Sequence, residues 1–290
     1  RIMIFSIKNT MLSILLVLSM LFTAACTPIK MENTNNNELT VKVLNIGQGD
    51  AILIKQKDKV TLIDTGDVEQ QDNLIKLLKS EKIVVIDNLI ITHPHADHLG
   101  GALGVLNNFT VNNVYDNGQS TTTKLYRNYL KKVTEKKIKY NQLVAGQQLE
   151  LGNDAFLKII SPASSFDKNG ELNNNSIVTQ LVYHSFKMLL TGDAEEETES
   201  NIVKSNIDIK SDVLKSPHHG SRSSSSKNFL KAVDAKDVII SLGKDNDYKH
   251  PHEEVLKRYK SLNMNIYRTD LNGTVTINTN GTTYEILKEQ

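Results

Sequence analysis

The order of apolar and polar positions predicts a chain in which β-strands and α-helices alternate. Residues 39–46 alternate apolar and polar side chains, as a strand with one buried face does. Residues 70–80 instead repeat their leucines at helical spacing. Residues 84–91 form a nearly continuous apolar run, which predicts a strand that is buried on both faces.

Similar patterns continue to the end of the chain. An Asn280-Gly281 turn between two β-rich runs predicts a closing hairpin. No linker rich in proline or glycine interrupts residues 39–290, so we predict one mixed α/β domain in which helices cover the sheets. The other predicted strands are 51–55, 60–63, 111–115, 156–160, 177–183, 187–190, 213–215, 238–241, 275–278 and 282–287, and the other predicted helices are 100–107, 125–135, 195–203, 227–233 and 253–261.

The amino-terminal segment has the composition of a bacterial export signal. Basic residues precede an apolar run over residues 11–22, which is short for a bilayer span of about 20 residues. Small residues then precede Cys26, as in a lipobox, although Thr23 stands where leucine is usual. We predict a lipoprotein signal peptide over 1–26 with lipidation at Cys26. The alternative is a transmembrane anchor with an incidental cysteine.

The segment after Cys26 and the overall composition indicate where the domain is held and which partners it is suited to. Residues 27–38 are rich in asparagine, which predicts a flexible tether. We therefore expect a domain held by lipid at the outer face of the cytoplasmic membrane of a Gram-positive bacterium. The single cysteine excludes an internal disulfide bond. A net charge of +1 gives no global basic field for nucleic acid, and an aromatic content of 6% without tryptophan argues against a base-stacking platform.

Residues 92–101 carry the densest set of reactive side chains. Three imidazoles and one carboxylate occur within six residues, directly after a predicted buried strand. Imidazole nitrogens and carboxylate oxygens are the ligands that zinc and related divalent metals prefer. From an extended loop, His93 and His95 can face one cation, while Asp97 and His98 can face a second cation about 3.5–4 Å away. The alternative is a solvated histidine-rich turn.

This His-x-His-x-Asp-His sequence resembles the signature of the metallo-β-lactamase superfamily. The resemblance implies an αββα sandwich, a four-layer α/β fold, with two divalent cations at one edge. Zinc is the first expectation for the cations, and manganese is the alternative. The resemblance also implies a supporting aspartate after an upstream strand, which Asp64 supplies, and a bridging aspartate after a downstream strand, which Asp193 supplies. Taken alone, either aspartate could belong only to a turn.

Several further segments resemble the hydrolase domain of ComEC-type competence proteins. The long membrane channel of those proteins is not found in this sequence, so the resemblance is to a free-standing relative. Phosphorylcholine esterases of bacterial surfaces share the asparagine-serine segment and the histidine pair. The segments that carry the resemblance are 45–51, 62–66, the histidine cluster at 93–98, 173–176, 191–193 followed by the acidic Glu195, 215–221 and 248–252.

The sequence has no clear counterpart for one metal ligand of the superfamily. Many superfamily members have a further histidine between the cluster and the bridging aspartate, and here only His184 lies in that interval, in a predicted turn. Asn175 and Ser176 instead lie in the segment where the relatives carry asparagine and serine, and we expect them to support the site. The resemblance therefore implies an open, water-accessible position at one cation.

Three histidines near the carboxyl end are candidates for the last ligand. His218 or His219 is the first candidate, and we expect the other member of this pair to contact the substrate. His250 is the competitor, and it could touch a leaving group if it is not a ligand. Residues 221–226 are rich in serine and include Arg222, so a mobile loop and an anion-binding loop are both open interpretations.

The resemblance implies a binuclear metal-dependent hydrolase. In this hypothesis Asp193 bridges the cations, Asp97 orients the attacking hydroxide and an imidazole assists the leaving group. The ComEC-like segments favour phosphodiester hydrolysis, with extracellular DNA as the expected substrate and no obligate protein partner. A phosphorylcholine-type esterase of the cell wall is the alternative, and β-lactam hydrolysis is disfavoured. A hypothesis of another class is a non-catalytic surface lipoprotein that binds DNA or wall polymer.

Overall fold

The computed structural model describes residues 38–290. The predicted signal peptide, the lipidation site Cys26 and all but the last residue of the predicted tether lie outside the described residues. Within that range, no helix combines the length and the apolar character needed to span a bilayer.

Eight strands form the first of two β-sheets. Alternate side chains such as Leu39, Val41 and Val43 are buried, which places one face of this sheet in the core between the two sheets. Numbered in chain order, the strands are β1 (Leu39–Val43), β2 (Ile52–Gln56), β3 (Lys59–Ile63), β4 (Val85–Ile90), β5 (Thr110–Asp116), β6 (Lys139–Gln142), β14 (Val275–Thr279) and β15 (Tyr284–Lys288).

Seven strands form the second sheet, which packs face to face against the first. The two inner faces share one apolar core, which includes Val41 and Ile54 from the first sheet and Leu157 and Leu181 from the second. The strands are β7 (Gln148–Gly152), β8 (Ala155–Ser161), β9 (Val178–Tyr183), β10 (Phe186–Leu190), β11 (Val213–Lys215), β12 (Asp237–Ile240) and β13 (Asn265–Arg268).

Helices cover the outer face of each sheet. Leu78 and Val105 are among the helical side chains that pack on the first sheet, and Phe229 and Tyr259 are among those that pack on the second. This arrangement confirms the predicted αββα fold. The helices are α1 (Gln71–Ser80), α2 (Ala96–Leu99), α3 (Ala102–Asn108), α4 (Lys124–Glu135), α5 (Glu196–Lys204), α6 (Lys227–Val233), α7 (Glu253–Ser261) and α8 (Thr269–Asn272).

Both sheets combine antiparallel and parallel pairs. The first sheet has the order β15-β14-β1-β2-β3-β4-β5-β6, in which β3 to β6 run parallel. The second has the order β13-β12-β11-β10-β9-β8-β7, in which β10 to β13 run parallel. The loops after these parallel strands leave from their carboxyl ends, which is the usual place for a ligand site in such sheets.

Three strands have no counterpart in the sequence prediction, namely β6, β7 and β13. All three are edge strands. The four residues of β6 are all exposed, so no apolar alternation marks that strand. An edge strand is held mainly by backbone hydrogen bonds to one neighbour, and the side-chain pattern on which the prediction depends is weak there.

Candidate metal centre

Four side chains from three separate segments converge on one point. The ligand atoms of Asp97, His98, Asp193 and His219 all lie within 4.8 Å of one another. His98 Nε2 is 3.1 Å from Asp193 Oδ2. His219 Nε2 is 3.3 Å from Asp97 Oδ2 and 3.4 Å from Asp193 Oδ1. Ligands of a tetrahedral cation with bonds of about 2.0–2.1 Å lie roughly 3.3 Å apart, so the group has the size of a cation site.

Hydrogen bonds determine which ring nitrogen of each histidine faces this point. His98 Nδ1 donates to Asp64 Oδ2 at 2.7 Å, and His219 Nδ1 donates to the Ser241 carbonyl at 2.9 Å. Both Nε2 atoms and Asp193 Oδ1 are buried with no hydrogen-bond partner among residues 38–290. Unpaired buried polar atoms are costly, so ligand atoms that face one another without pairing fit a bound cation.

A second set of ligand atoms adjoins the first at Asp193. His93 Nε2 is 3.0 Å from His95 Nδ1 and 3.9 Å from Asp193 Oδ2. Thr92 Oγ1 contacts Nδ1 of His93 at 3.1 Å, which leaves Nε2 facing the other ligand atoms. Asp193 is within reach of both sets, in the position expected of a bridging ligand.

The two sets of ligand atoms together are called the cluster, and its carboxylates raise the pKa values of His98 and His219. Burial lowers the pKa of His219, but Asp193 and Asp97 outweigh that effect and raise the pKa to about 10. Burial also opposes charge on His98, yet Asp193 and Asp64 hold the pKa of its imidazole well above the usual range. The cluster therefore favours positive charge. A divalent cation would supply that charge in place of protons, so metal affinity should rise with pH.

Asp64 supports the histidine loop without facing the cation positions. It follows β3 with a left-handed backbone (φ +60°). Its carboxylate accepts from the Thr92 amide and from the Thr92 hydroxyl at 2.7 Å each, in addition to His98 Nδ1. One carboxylate thus fixes the start of the loop and the orientation of a candidate ligand.

Asp64→Asn should weaken the binding of the cation that His98 faces. The amide has the same shape but lacks the charge, and only one of its polar atoms accepts hydrogen bonds. We expect the metal affinity to fall about 10–100-fold, which competition with a chromophoric chelator would measure. Asp72→Asn, in the exposed first turn of α1, is the matched control and should change nothing. An unaltered affinity in Asp64→Asn would show that this support is dispensable.

The three candidates for the last ligand occupy different places. His219 belongs to the four-residue group. His218 adjoins it, with Nε2 at 3.8 Å from Asp193 Oδ2 and Nδ1 at 3.2 Å from Glu195 Oε1. His250 lies further out, with its ring centroid 6.3 Å from that of His219. The structure therefore brings His219 into the cluster and leaves His250 in the wall above it. The sequence assigned no role to Glu195, which holds His218.

A strained turn aims His218 and His219 into the same space. Pro217 follows the end of β11 and starts a short 3₁₀ turn. His218, His219 and Gly220 then have φ values of +47°, +53° and +81°. Non-glycine residues rarely adopt this left-handed region, at a cost of order 1–3 kcal/mol each. Such strain persists where the surrounding contacts enforce it, and it is common at functional sites.

His184 does not reach the cluster. It lies in the turn between β9 and β10, which confirms the turn predicted from the sequence. Its ring is exposed and packs on Tyr183 at a centroid distance of 4.5 Å. Asp193 follows the other end of β10, so the length of that strand separates the two side chains.

Ser176 supports the backbone of the cluster directly, whereas the Asn175 side chain ties together the neighbouring loops. Ser176 Oγ accepts from the Asp193 amide at 3.2 Å. Asn175 Nδ2 donates to the Asp167 carbonyl at 2.8 Å and to Gln119 Oε1 at 3.1 Å. These contacts fit the supporting role expected from the sequence.

The serine-rich segment 221–226 is held in place by its neighbours. Ser224 is buried, and the next two backbone amides donate to the buried carboxylate of Glu199. Arg222 is paired with Glu254 at 3.5 Å. The segment is therefore a fixed part of the fold, and its arginine is engaged away from the cluster.

A buried ion pair lies behind the cluster, and the sequence assigned it no role. Lys215 Nζ is 2.8 Å from Asp50 Oδ2, and both side chains are at most 1% exposed. Asp50 Oδ1 is 3.5 Å from His219 Nδ1, and the Asp50 amide donates to the Asp97 carbonyl at 3.2 Å. Gly49 permits this approach, because a Cβ there would lie 2.1 Å from that carbonyl oxygen. The only sequence signal for this pair was its place in the ComEC-like segments.

An open cavity of about 650 Å³ lies over the cluster. Asp97, Asp193 and His219 are part of its lining, and His218 and His250 also border it. A volume of this size is ordinary for a small-ligand site.

Comparison with known proteins identifies the family. Residues 44–124 match the Metallo-beta-lactamase superfamily, and this range includes Asp64 and the whole 93–98 cluster. The chain carries a metallo-β-lactamase superfamily domain. This confirms the resemblance inferred from the histidine cluster.

Curated relatives of this metallo-β-lactamase domain are competence proteins. ComE operon protein 3 of Bacillus subtilis is 31% identical over 259 residues, which cover 83% of this chain and 33% of that protein. Competence protein ComA of Neisseria gonorrhoeae is 31% identical over 259 residues, which cover 88% of this chain and 34% of that protein. The chain thus spans about a third of the length of the curated relatives that it matches.

Solved structures share the fold of this metallo-β-lactamase domain at low sequence identity. The metallo-β-lactamase fold protein YhfI from Bacillus subtilis has a TM-score of 0.54 at 13% identity, over 82% of this chain and 99% of that protein. CmlA of Streptomyces venezuelae, a diiron β-hydroxylase, has a TM-score of 0.54 at 13% identity, over 87% of this chain and 54% of that protein. These likenesses show the shared fold.

Proposed function

We propose that this domain is a binuclear metal-dependent phosphodiesterase that acts outside the cytoplasmic membrane. The observation that carries the proposal is the convergence of two sets of ligand atoms on the Asp193 carboxylate, at the base of an open cavity. Two cations held by these residues would suit hydrolysis at phosphorus, because they would stabilise charge on both the attacking and the leaving oxygen.

The proposed ligands are divided between two cation positions. Imidazoles dominate the set, which favours Zn²⁺, and Mn²⁺ is the alternative. When bound, the cations would lower the pKa of a water molecule and stabilise negative charge on the phosphoryl group. Asp97, His98 and His219 would hold one cation, His93 and His95 would hold the other, and Asp193 would contribute to both.

In this proposal, two side chains would act on the reactants. The Asp97 side chain is 22% exposed, and it can accept a hydrogen bond from the attacking water and orient it. The His218 side chain is 21% exposed, with Nδ1 held by Glu195 and Nε2 on the side of the cluster. Burial lowers the pKa of His218, so its neutral form can accept a proton at Nε2 and return it to the leaving oxygen.

The competence-protein relatives make extracellular DNA the first candidate substrate. A phosphoester of the cell wall is the second candidate, and one observation favours it: no lysine or arginine lines the cavity in the described part of the chain. Either polymer would be met outside the cell, at a membrane to which lipid on Cys26 would tether the domain. A non-catalytic protein that binds such a polymer is the competing hypothesis.

Metal reconstitution tests this function. The purified protein, stripped with chelator and reloaded with Zn²⁺ or Mn²⁺, should hydrolyse bis-p-nitrophenyl phosphate, p-nitrophenylphosphorylcholine or linear DNA. The stripped protein should be inactive but folded by circular dichroism, and nitrocefin should not be cleaved by either form. Affinity for DNA or wall polymer without turnover in the reloaded protein would support the binding hypothesis instead.

A further inference from the structure

Three carboxylates stand on the walls of the cavity outside the proposed cation ligands. Asp67 and Glu69 belong to the turn after β3 of the first sheet, and Asp247 belongs to the loop after β12 of the second. Within residues 38–290, none of the three takes part in an ion pair, and the cavity lining holds no basic side chain except histidines. Apart from the cluster, the walls therefore carry negative charge only.

Hydrogen bonds fix the loop between β12 and α7, which carries Asp247 and is called the acidic loop, relative to the first sheet. Gln48, which also lines the cavity, accepts from the Gly243 amide through Oε1 at 3.2 Å. Asn246 Nδ2 donates to the Gly243 carbonyl at 2.9 Å and to the His250 carbonyl at 2.8 Å. Asn246 Oδ1 accepts from the His250 amide at 2.9 Å. The loop that carries Asp247 is thus braced at both ends, which restricts where its carboxylate can lie.

An exposed aromatic ring and an unpaired histidine complete this wall. Tyr248 is 61% exposed, and its ring stacks on His250 at a centroid distance of 5.6 Å with 19° between the planes. His250 is only 8% exposed, yet its Nδ1 has no hydrogen-bond partner in the described range. An exposed tyrosine face in a cavity that is also lined by unpaired carboxylates is suited to an organic ammonium group.

The carboxylates of these walls would repel a polyanion such as DNA. Sites for nucleic acid neutralise successive phosphates with lysine and arginine. Lys244 and Lys249 lie in the acidic loop, but both are exposed and neither lines the cavity. A DNA phosphate held by the cations would leave the next phosphates of the strand beside the three carboxylates, where like charges repel.

We propose that the substrate is a zwitterionic phosphoester, with its phosphate at the cations and its ammonium group among Asp67, Glu69, Asp247 and Tyr248. This inference rests on the proposed phosphodiesterase function and names its substrate class. The bound cations would attract the phosphate, while the wall carboxylates and the tyrosine ring attract the positive end. The two ends of one substrate are thus matched to two oppositely charged parts of one cavity.

Two phosphodiesters that differ at one atom test the proposal. p-Nitrophenylphosphorylcholine carries a quaternary ammonium, and p-nitrophenyl 3,3-dimethylbutyl phosphate has carbon in place of that nitrogen. For the metal-loaded full chain, we expect a KM at least about tenfold lower for the choline ester, which corresponds to ~1.4 kcal/mol, with similar kcat values.

Variants of the wall locate the recognition. Glu69→Gln and Asp247→Asn should each raise the KM for the choline ester about two- to fivefold, as expected for one exposed ionic contact. The KM for the dimethylbutyl ester should not rise, because that ester has no ammonium group for either carboxylate to bind. Glu135→Gln, an exposed carboxylate at the end of α4, is the matched control and should affect neither ester.

Calorimetry separates this inference from the function on which it rests. The metal-loaded protein should bind phosphorylcholine more tightly than 3,3-dimethylbutyl phosphate. If neither ester is hydrolysed but this preference holds, the phosphodiesterase proposal fails and the ammonium assignment stands. Equal binding, equal KM values, or faster cleavage of single-stranded DNA than of the choline ester would overturn the assignment.

Discussion

Asp193→Asn is expected to release both cations and to lower kcat/KM on phosphodiesters by about a thousandfold, or ~4 kcal/mol. The carboxylate oxygens lie 3.1 Å from His98 Nε2, 3.4 Å from His219 Nε2 and 3.9 Å from His93 Nε2. An amide in its place offers a single neutral acceptor to two cations. Mass spectrometry of the metal content, together with steady-state kinetics, would measure both effects.

The control for this prediction is another conspicuous residue of the same sheet. His184→Ala removes an exposed imidazole from the β9–β10 turn, at the opposite end of β10, and should leave metal content and turnover unchanged. If Asp193→Asn retained two cations and ordinary turnover, the residue would not bridge the site and the binuclear proposal would be wrong.

Lys215→Met is expected to lower the free energy of unfolding by about 3–5 kcal/mol. The ammonium of Lys215 is fully buried, and its removal leaves the 1% exposed Asp50 carboxylate with only the more distant His219 ring, at 3.5 Å, as a cationic neighbour. Urea denaturation of the metal-stripped protein would measure this change without a contribution from cation binding. The exposed pair of Lys187 and Asp208 is the control, and Lys187→Met should cost no more than about 1 kcal/mol.

A double variant distinguishes the loss of a charge partner from the loss of packing. Asp50→Leu with Lys215→Met removes both charges, and we expect it to recover much of the stability lost by Lys215→Met alone. A double variant no more stable than the single one would show that the contacts of Asp50 with the cluster, and not charge balance, dominate.

The fold and the first half of the metal centre could be predicted because their signals are local. The segment from His93 to His98 occupies six consecutive positions. The apolar strands before Asp64 and Asp193 indicate that these two aspartates follow the ends of buried strands. Central strands bury their side chains, so their hydrophobic pattern is strong. The structure therefore agrees with the predicted placement where one short segment holds both the structural signal and the candidate ligands.

The rest depends on contacts between distant segments. His218 and His219 are adjacent, and only the left-handed turn at these residues decides which ring nitrogen reaches Asp193. The Asp50–Lys215 pair joins the loop before β2 to the end of β11 in the second sheet, so no spacing in the sequence reveals it. Edge strands such as β6 lack an apolar pattern for the same reason that they contribute little to the core.

The charge of the cavity also depends on residues that are distant in sequence, so the sequence could not predict it. A net charge of +1 excludes a strong global field, but it says nothing about local charge. Glu69 and Asp247 are far apart in sequence, and only the sandwich places both on one cavity. The sequence therefore favoured DNA from family resemblance, whereas the walls favour a substrate with a positive end.

The direction of β1 has a consequence for how the domain presents its cavity. β1 runs in the same direction as β3, because β2 lies between them and is antiparallel to both. β3 is followed by Asp64, beside the cluster. Leu39, at the start of β1, therefore lies at the opposite end of the strands of this sheet. The described chain therefore enters the domain at the end of the first sheet opposite the cluster. Neither Glu38 nor Leu39 lines the cavity, so this entry point leaves the cavity clear.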